Sequence, residues 1–344
     1  SARARAAVSA SAFALAACSS ADGAAGQGSA ERGYQTDAPA PSATRGVRVE
    51  TVASGLDRPW ALEFLPDRRM LVTEKGGRLR LFSENGARSW TVRFVPEVDD
   101  RGQGGLLDVA VDPRFDLSGL IVLTLAEPAG GRTNRTAAIR ARLILDEDPR
   151  LEDLRPIFRQ TPAFDADKHY GSRAVFAPDG TVYVTTGERF DHARLSQDLN
   201  ATLGKVVRVN VDGTIPADNP FVGREDARPE IWSYGHRNIQ SAAIHPDTGR
   251  LWTIEHGPRG GDEVNVPEAG KNYGWPLVTH GRAYSGLPIN GGRSAQEGTE
   301  QPLYYWVPSI APSGATFYTG DRFPEWKGDL FSGALAGQHL NRLD

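Results

Sequence analysis

From Val47 onward the apolar residues fall in short runs, many of them β-branched, and each run is closed by a Pro-Asp or glycine turn. Val47-Arg-Val-Glu-Thr-Val alternates with period two, the mark of a strand that buries one face. Trp60-Ala-Leu-Glu-Phe-Leu then reaches Pro66-Asp67, and Met70-Leu-Val-Thr-Glu and Gly77-Arg-Leu-Arg-Leu-Phe follow. The order predicted is strand, Pro-Asp turn, strand, glycine turn, strand. It recurs from Leu107-Asp-Val-Ala-Val-Asp-Pro113, from Ala174-Val-Phe-Ala-Pro-Asp-Gly180, from Ser241-Ala-Ala-Ile-His-Pro-Asp247 and, degenerately, from Gly314-Ala-Thr-Phe-Tyr318. Five units of roughly 45–80 residues, each worth about four short strands, fit a β-propeller with long insertions better than a sandwich. No stretch carries helical periodicity beyond one or two turns. A propeller ring must close, because an open ring leaves unpaired backbone at a sheet edge. After Gln338-His-Leu-Asn-Arg-Leu343 no further Pro-Asp-Gly turn is present. The expectation is an all-β, six-bladed β-propeller with its last blade truncated in this chain.

The polar residues concentrate between residues 230 and 276, where His236, Arg237, Asn238, Glu255, His256, Arg259, Asp262 and Glu263 crowd around two short apolar strands. A loop that only satisfies its own backbone uses Asp, Asn and Gly; two arginines and two histidines in addition read as a site on loops at strand ends.

A formal charge of −4 with no basic cluster excludes a phosphate-tracking nucleic-acid binder. At the amino terminus Arg3 and Arg5 precede an alanine-rich apolar stretch ending in Leu15-Ala-Ala-Cys18, the layout of a lipoprotein-type signal peptide over residues 1–18. Cleavage there would leave Cys18 as a lipidated first residue and the only membrane attachment. Residues 19–46 are Ser, Ala, Gly and Pro with little to bury and read as a flexible tether, with the propeller domain over 47–344. Localisation is therefore expected to be exported, at the cell surface as a lipoprotein or in the periplasm. Cys18 is the only cysteine, which excludes an internal disulfide and a thiolate metal site.

Six short motifs occur in order: His169-Tyr-Gly-Ser-Arg173, Gly204-Lys-Val-Val-Arg-Val-Asn210, Ile215-Pro-Ala-Asp-Asn-Pro-Phe221, Tyr234-Gly-His-Arg-Asn238, Glu255-His-Gly-Pro-Arg-Gly-Gly-Asp-Glu263 and Lys271-Asn-Tyr-Gly-Trp-Pro276. Together they resemble the soluble aldose sugar dehydrogenases of the glucose/sorbosone dehydrogenase family, six-bladed propellers that use pyrroloquinoline quinone (PQQ). The resemblance implies oxidation of an aldose at its anomeric carbon to a lactone, with hydride transfer to a Ca²⁺-bound quinone and an external electron acceptor. It assigns His169 as the general base, a task suited to imidazole. It assigns the Gly257 and Pro258 carbonyls to Ca²⁺, a hard cation that takes oxygen ligands. Gln103 would line the substrate and cofactor pocket. Arg237 and Asn238 would lie over the quinone, Arg237 stabilising negative charge during reduction. Ser309 would touch a cofactor carboxylate, and Glu263 with the Tyr273 carbonyl would hold a second, structural calcium.

One departure is that Ala336 stands where the family usually places a basic residue that pairs with a cofactor carboxylate. Two other classes stay open at this point. A catalytically idle propeller could present its mouth to a glycan or protein. A calcium-assisted lactonase could use His169 to activate water.

Overall fold

The Pro-Asp turns fold as the sequence dictates, because an aspartate at that place can accept the backbone N–H two residues further on. Asp67 and Asp179 receive the N–H groups of Arg69 and Thr181 at 3.0 and 2.9 Å, and Asp112, which precedes its proline, receives that of Arg114 at 2.8 Å. Each turn reverses the chain between two strands of one sheet. The computed structural model describes residues 47–344; the expected signal peptide, Cys18 and the tether lie outside the described residues.

The strands form five antiparallel sheets in chain order. The first holds β1 (Pro59–Phe64), β2 (Met70–Glu74), β3 (Arg78–Phe82) and β4 (Ser89–Val92). The second holds β5 (Leu106–Val111), β6 (Leu120–Pro128), β7 (Asn134–Ile144) and β8 (Arg150–Arg159). The third holds β9 (Gly171–Phe176), β10 (Val182–Thr186), β11 (Lys205–Val209) and β12 (Ile231–Tyr234). The fourth holds β13 (Ile239–Ile244), β14 (Leu251–Glu255), β15 (Asp262–Asn265) and β16 (Tyr304–Trp306), and the fifth β17 (Pro312–Phe317), β18 (Leu330–Ala334) and β19 (His339–Leu343). The innermost strands β1, β5, β9, β13 and β17 pack side by side in that order, which makes the molecule an all-β propeller. One α-helical turn, Phe115–Ser118, is its whole α-helical content among the described residues.

The core lies between successive sheets. Leu71, Leu79 and Leu81 meet Leu106, Ile121 and Leu123; Val122 and Ala138 meet Val184 and Val207; Ile254, Val264 and Trp306 meet Phe317 and Leu330. Because β2, β10 and β11 are covered on both faces, every residue in them is buried, Lys205 and Arg208 of β11 included, and β2 and β10 open as apolar runs rather than alternations.

A hydroxyl on the second strand ties each of the first three sheets to the next. Every innermost strand is bulged near its start, and the N–H released by the bulge donates to a threonine on the neighbouring strand: Ala61 to Thr73 at 3.0 Å, Asp108 to Thr124 at 2.9 Å and Arg173 to Thr185 at 2.9 Å. The same hydroxyls donate across to carbonyls of the next innermost strand or its approach, Thr73 to Leu107 at 2.5 Å and Thr124 to Ser172 at 2.7 Å. Between the fourth and fifth sheets Ser241 takes over, donating to the Ser313 carbonyl. Thr124→Val keeps the shape and removes both bonds inside a fully buried site. It is expected to cost about 1–3 kcal/mol in urea unfolding.

Three expectations change. Val47–Val52 forms no strand, and Val49 is 87% exposed. Alternation needs a paired neighbour to become a strand, and here Ala53 and Leu56 instead cross the face of the first sheet over Met70, Val72 and Phe82. Asp262 and Glu263, expected on a loop, lie in β15, paired with Trp306 and Glu255, because their side chains find partners inside the fold. The expected six blades are five sheets among the described residues, the last of them three-stranded.

Candidate functional site

In an antiparallel sheet the start of the first strand and the end of the second lie at the same end. The segments before β5, β9, β13 and β17 and after β10 and β14 therefore share one mouth of the propeller. They carry Gln103, His169, Arg237, Ser309, Glu188 and His256–Pro258 respectively.

His169 sits in the turn before β9 with a left-handed backbone, φ 51°. Its backbone N–H donates to Gln103 Oε1 at 2.8 Å, so these two predicted residues are together. Its Nδ1 lies 3.0 Å from Glu188 Oε1, and Nε2 has no hydrogen-bond partner among the described residues. Burial pushes the imidazole pKa down, more than the Glu188 carboxylate raises it, and the nearby Arg237 and Lys168 charges add to the lowering. The neutral ring therefore donates Nδ1–H to Glu188 and presents the Nε2 lone pair, the tautomer a general base needs. Glycine is required at 187, at the end of β10, because a Cβ there would meet the His169 carbonyl at 2.1 Å.

Arg237 joins the other half of the site. Its guanidinium Nη1 donates to the carbonyls of His256 at 3.0 Å and Gly257 at 2.6 Å, and Nη2 reaches the Tyr284 hydroxyl at 3.3 Å. Its Nε stands 3.9 Å from Glu188 Oε1, and the guanidinium lies over the Trp275 ring, 5.2 Å from its centroid. One continuous path thus runs from Gln103 through His169, Glu188 and Arg237 to Gly257 and Pro258. Arg237 Nε, Glu188 Oε2 and Trp275 Nε1 are buried with no hydrogen-bond partner among the described residues.

Behind this path Asp262 binds Gly257 N–H at 2.9 Å through one oxygen. Through the other it accepts from Ser309 Oγ at 2.6 Å and from the N–H groups of Ile310 and Ala311 at 2.8 and 3.1 Å. Ser309 is therefore adjacent to the site, but its hydroxyl proton is committed to Asp262. Asn238 is likewise turned inward, its Oδ1 accepting the Gly171 N–H at 3.1 Å beneath the His169 turn. Ala336 donates its N–H to the Ile310 carbonyl at 3.0 Å, close to Ser309 in the fold.

Glu263 and Tyr273 line a small pocket with Glu255, Gly257, Pro258 and Trp275. Burial of the Glu263 carboxyl, and the Glu255 charge beside it, push its pKa well above the usual carboxylate range. Glu255 also accepts His236 Nδ1 at 2.9 Å, while His236 Nε2 lies 2.9 Å from Ser233 Oγ. This has the connectivity of a nucleophilic triad, yet Ser233 and His236 are 0% exposed. No substrate can reach the hydroxyl, so the group acts as a brace, Glu255 also binding the Arg237 N–H at 2.5 Å. Among the described residues there is no cluster of three or more His, Cys, Asp or Glu side chains arranged to hold a metal ion.

Sequence reasoning missed Glu188, Arg189 and Tyr284. The signal for the first two was a charged pair directly after Thr185-Thr186-Gly187, where a buried strand gives way to the mouth.

Comparison with known proteins places this geometry. The Glucose / Sorbosone dehydrogenase family model matches residues 56–344. An aldose sugar dehydrogenase of Escherichia coli (strain K12) is 46% identical over 291 residues, covering 84% of this chain and 78% of the relative. Among solved structures, a glucose dehydrogenase superposes with a TM-score of 0.82 at 46% identity, covering 86% of this chain and 85% of that one. The PQQ-bound aldose sugar dehydrogenase of Streptomyces coelicolor superposes with a TM-score of 0.71 at 29% identity, over 86% of this chain and 79% of that one.

Proposed function

Because the chain belongs to the glucose/sorbosone dehydrogenase family, we propose that it is an exported sugar oxidoreductase that oxidises the anomeric carbon of aldoses to lactones. PQQ, Ca²⁺ and an external electron acceptor complete the proposal; the quinone is drawn from the PQQ-bound relative. The observation that carries it is the neutral His169 ring held by the Glu188 carboxylate, with Nε2 open to the mouth, joined through Arg237 to the Gly257 carbonyl.

The residues fit the cofactor on two grounds. Buried Arg237 Nε, Glu188 Oε2 and Trp275 Nε1 are polar atoms that a polar ligand can satisfy. The carbonyls of His256 and Gly257 already draw the cationic guanidinium of Arg237, which stands in for a metal cation at an all-oxygen donor set. Gly257 and Pro258 would hold Ca²⁺, with Gln103 and Arg237 facing the quinone. Asn238 and Ser309 would contribute mainly by fixing the loops they brace. When bound, the metal-polarised quinone supplies the hydride acceptor. The chain itself binds the sugar near Gln103, takes the hemiacetal hydroxyl proton on His169 Nε2 and places the Arg237 charge where negative charge develops. Loss of that proton and of the anomeric hydride leaves the lactone. The raised Glu263 beside Glu255 is the local electrostatics a second cation would relieve, which supports the structural calcium with the Tyr273 carbonyl.

A sixth sheet between β17 and β1 belongs to the same reading. Those two strands do not pack as the other innermost neighbours do, and Ser332, at the place of the bridging threonines, donates among the described residues to the adjacent Gly333 carbonyl alone. Export rests on Arg3, Arg5 and the Leu15-Ala-Ala-Cys18 ending, and attachment on lipidation of Cys18.

The test loads the purified protein with PQQ and Ca²⁺, measures quinone uptake by calorimetry and follows reduction of an artificial dye over a panel of aldoses. Stoichiometric uptake with sugar-dependent reduction is expected. Absence of reduction with every aldose despite uptake would overturn the assigned activity.

A further inference from the structure

We infer that Arg189 is a positioning residue for His169: it holds the backbone of the His169 turn while its neighbour Glu188 holds the ring. The inference rests on the reading of His169 as the base. The turn does not hold its own shape. His169 and Ser172 have φ of 51° and 79°, conformations that disfavour side chains with a Cβ and persist only where surroundings enforce them. Gln103 and Asn238 hold the turn's N–H groups at His169 and Gly171, and its carbonyls before and at His169 are held by Arg189. Its Nη2 donates to the Ala166 carbonyl at 2.7 Å, its Nε to the Lys168 carbonyl at 3.1 Å and its backbone N–H to the His169 carbonyl at 3.3 Å.

The guanidinium is anchored from behind by Asn134 Oδ1 at 2.5 Å and Gln160 Oε1 at 3.3 Å, and lies over the Tyr170 ring, 3.9 Å from its centroid. It is 1% exposed and pairs with no carboxylate within 4.0 Å among the described residues. Burying a charge with only neutral acceptors is unfavourable, so the fold gains something that a hydrophobic residue could not give. What it gains is a rigid fork able to serve two turn carbonyls and two side-chain anchors at once, which a lysine ammonium on a flexible stem does not reproduce. Left-handed backbone at both Arg189 and Phe190, φ 64° and 68°, sends Glu188 to the ring and Arg189 beneath the turn.

The groups facing the imidazole are Glu188, Arg237, Lys168 and His256, with Phe190 edge-on at 5.1 Å. Arg189 touches the turn's backbone and makes no contact with the ring. The test compares native protein with Arg189→Lys and Arg189→Met. It measures thermal stability, kcat and KM of the PQQ- and Ca²⁺-loaded enzyme, and the His169 titration by NMR in ¹⁵N-histidine-labelled protein, assigned with His169→Gln. Both variants are expected to lower kcat by roughly 10- to 100-fold with KM little changed, the loss typical of a base displaced by about 1 Å. His169 should titrate closer to the ordinary histidine value as the loosened turn lets water reach the ring. Arg189→Lys, though still cationic, should not rescue either readout. Native-like kcat and native-like His169 titration in a folded variant would overturn the role. Should Arg189→Met fail to fold, Arg189→Lys decides. Should the native protein oxidise no sugar, the assigned activity fails, while the titration still decides whether Arg189 sets the turn.

Discussion

His169→Gln is expected to lower kcat for aldose oxidation by roughly 10²- to 10⁴-fold, the contribution of a positioned general base, with little change in KM. Glutamine can still donate toward Glu188 but offers no basic nitrogen for the hemiacetal proton. In the native enzyme kcat/KM should rise with pH as the imidazole loses its proton and then level off. The midpoint should fall below the ordinary histidine value, because burial opposes the imidazolium more strongly than Glu188 favours it. The sign for stability is the same. The depressed pKa contributes stability that is present above the unfolded-state value and lost as pH falls through the folded one, so acid should both silence and loosen the mouth. Stopped-flow reduction of loaded enzyme across pH checks this. A variant within threefold of native would remove His169 from the chemistry, and an acid limb centred above the ordinary histidine pKa would contradict the buried, neutral ring.

The sheets were legible because their physics is local. A Pro-Asp turn needs only its own residues, and β2 and β10 open on apolar runs because both their faces are covered. The outer strands were harder. β7 carries Arg135, Arg140 and Arg142, and β8 carries Glu152, Asp153 and Arg155 ahead of Pro156 in a run of five exposed residues; there backbone pairing along a neighbour, rather than side-chain burial, makes the strand. The threonine that bridges the sheets was visible as Thr73, Thr124 and Thr185, once in each of the first three units, but its meaning depends on a bulge in another strand. The site itself joins loops of different sheets. Gln103 and His169 were recoverable from motif order. Glu188 was not, since nothing local says that the carboxylate after β10 will meet an imidazole nineteen positions earlier. Tyr284, 61% exposed on a long insertion, is connected to the site through Arg237 and by stacking on Phe190, contacts between distant segments that no local pattern announces.

The largest structural effect should come from Asp262→Ala. This 0%-exposed carboxylate gathers four donors: the Gly257, Ile310 and Ala311 N–H groups and the Ser309 hydroxyl. A carboxylate among backbone N–H groups makes charge-assisted bonds, and deleting it strands three buried backbone donors with no side chain to replace it. A loss of about 3–5 kcal/mol is expected, at the top of the range for single substitutions, with a fall in Tm on the order of 10 °C. The consequence for the site is distinct from that for the fold. Asp262 fixes the turn that aims the Gly257 carbonyl at Arg237 and ties it to the segment entering β17, so the fourth and fifth sheets lose their common anchor at the mouth. Calorimetric Ca²⁺ binding should therefore weaken at temperatures where the variant is still folded by circular dichroism, and Asp262→Asn, which keeps an acceptor, should recover part of the stability. A variant that loses stability yet binds Ca²⁺ as the native protein does would separate the carboxylate from the aim of the carbonyl turn it holds.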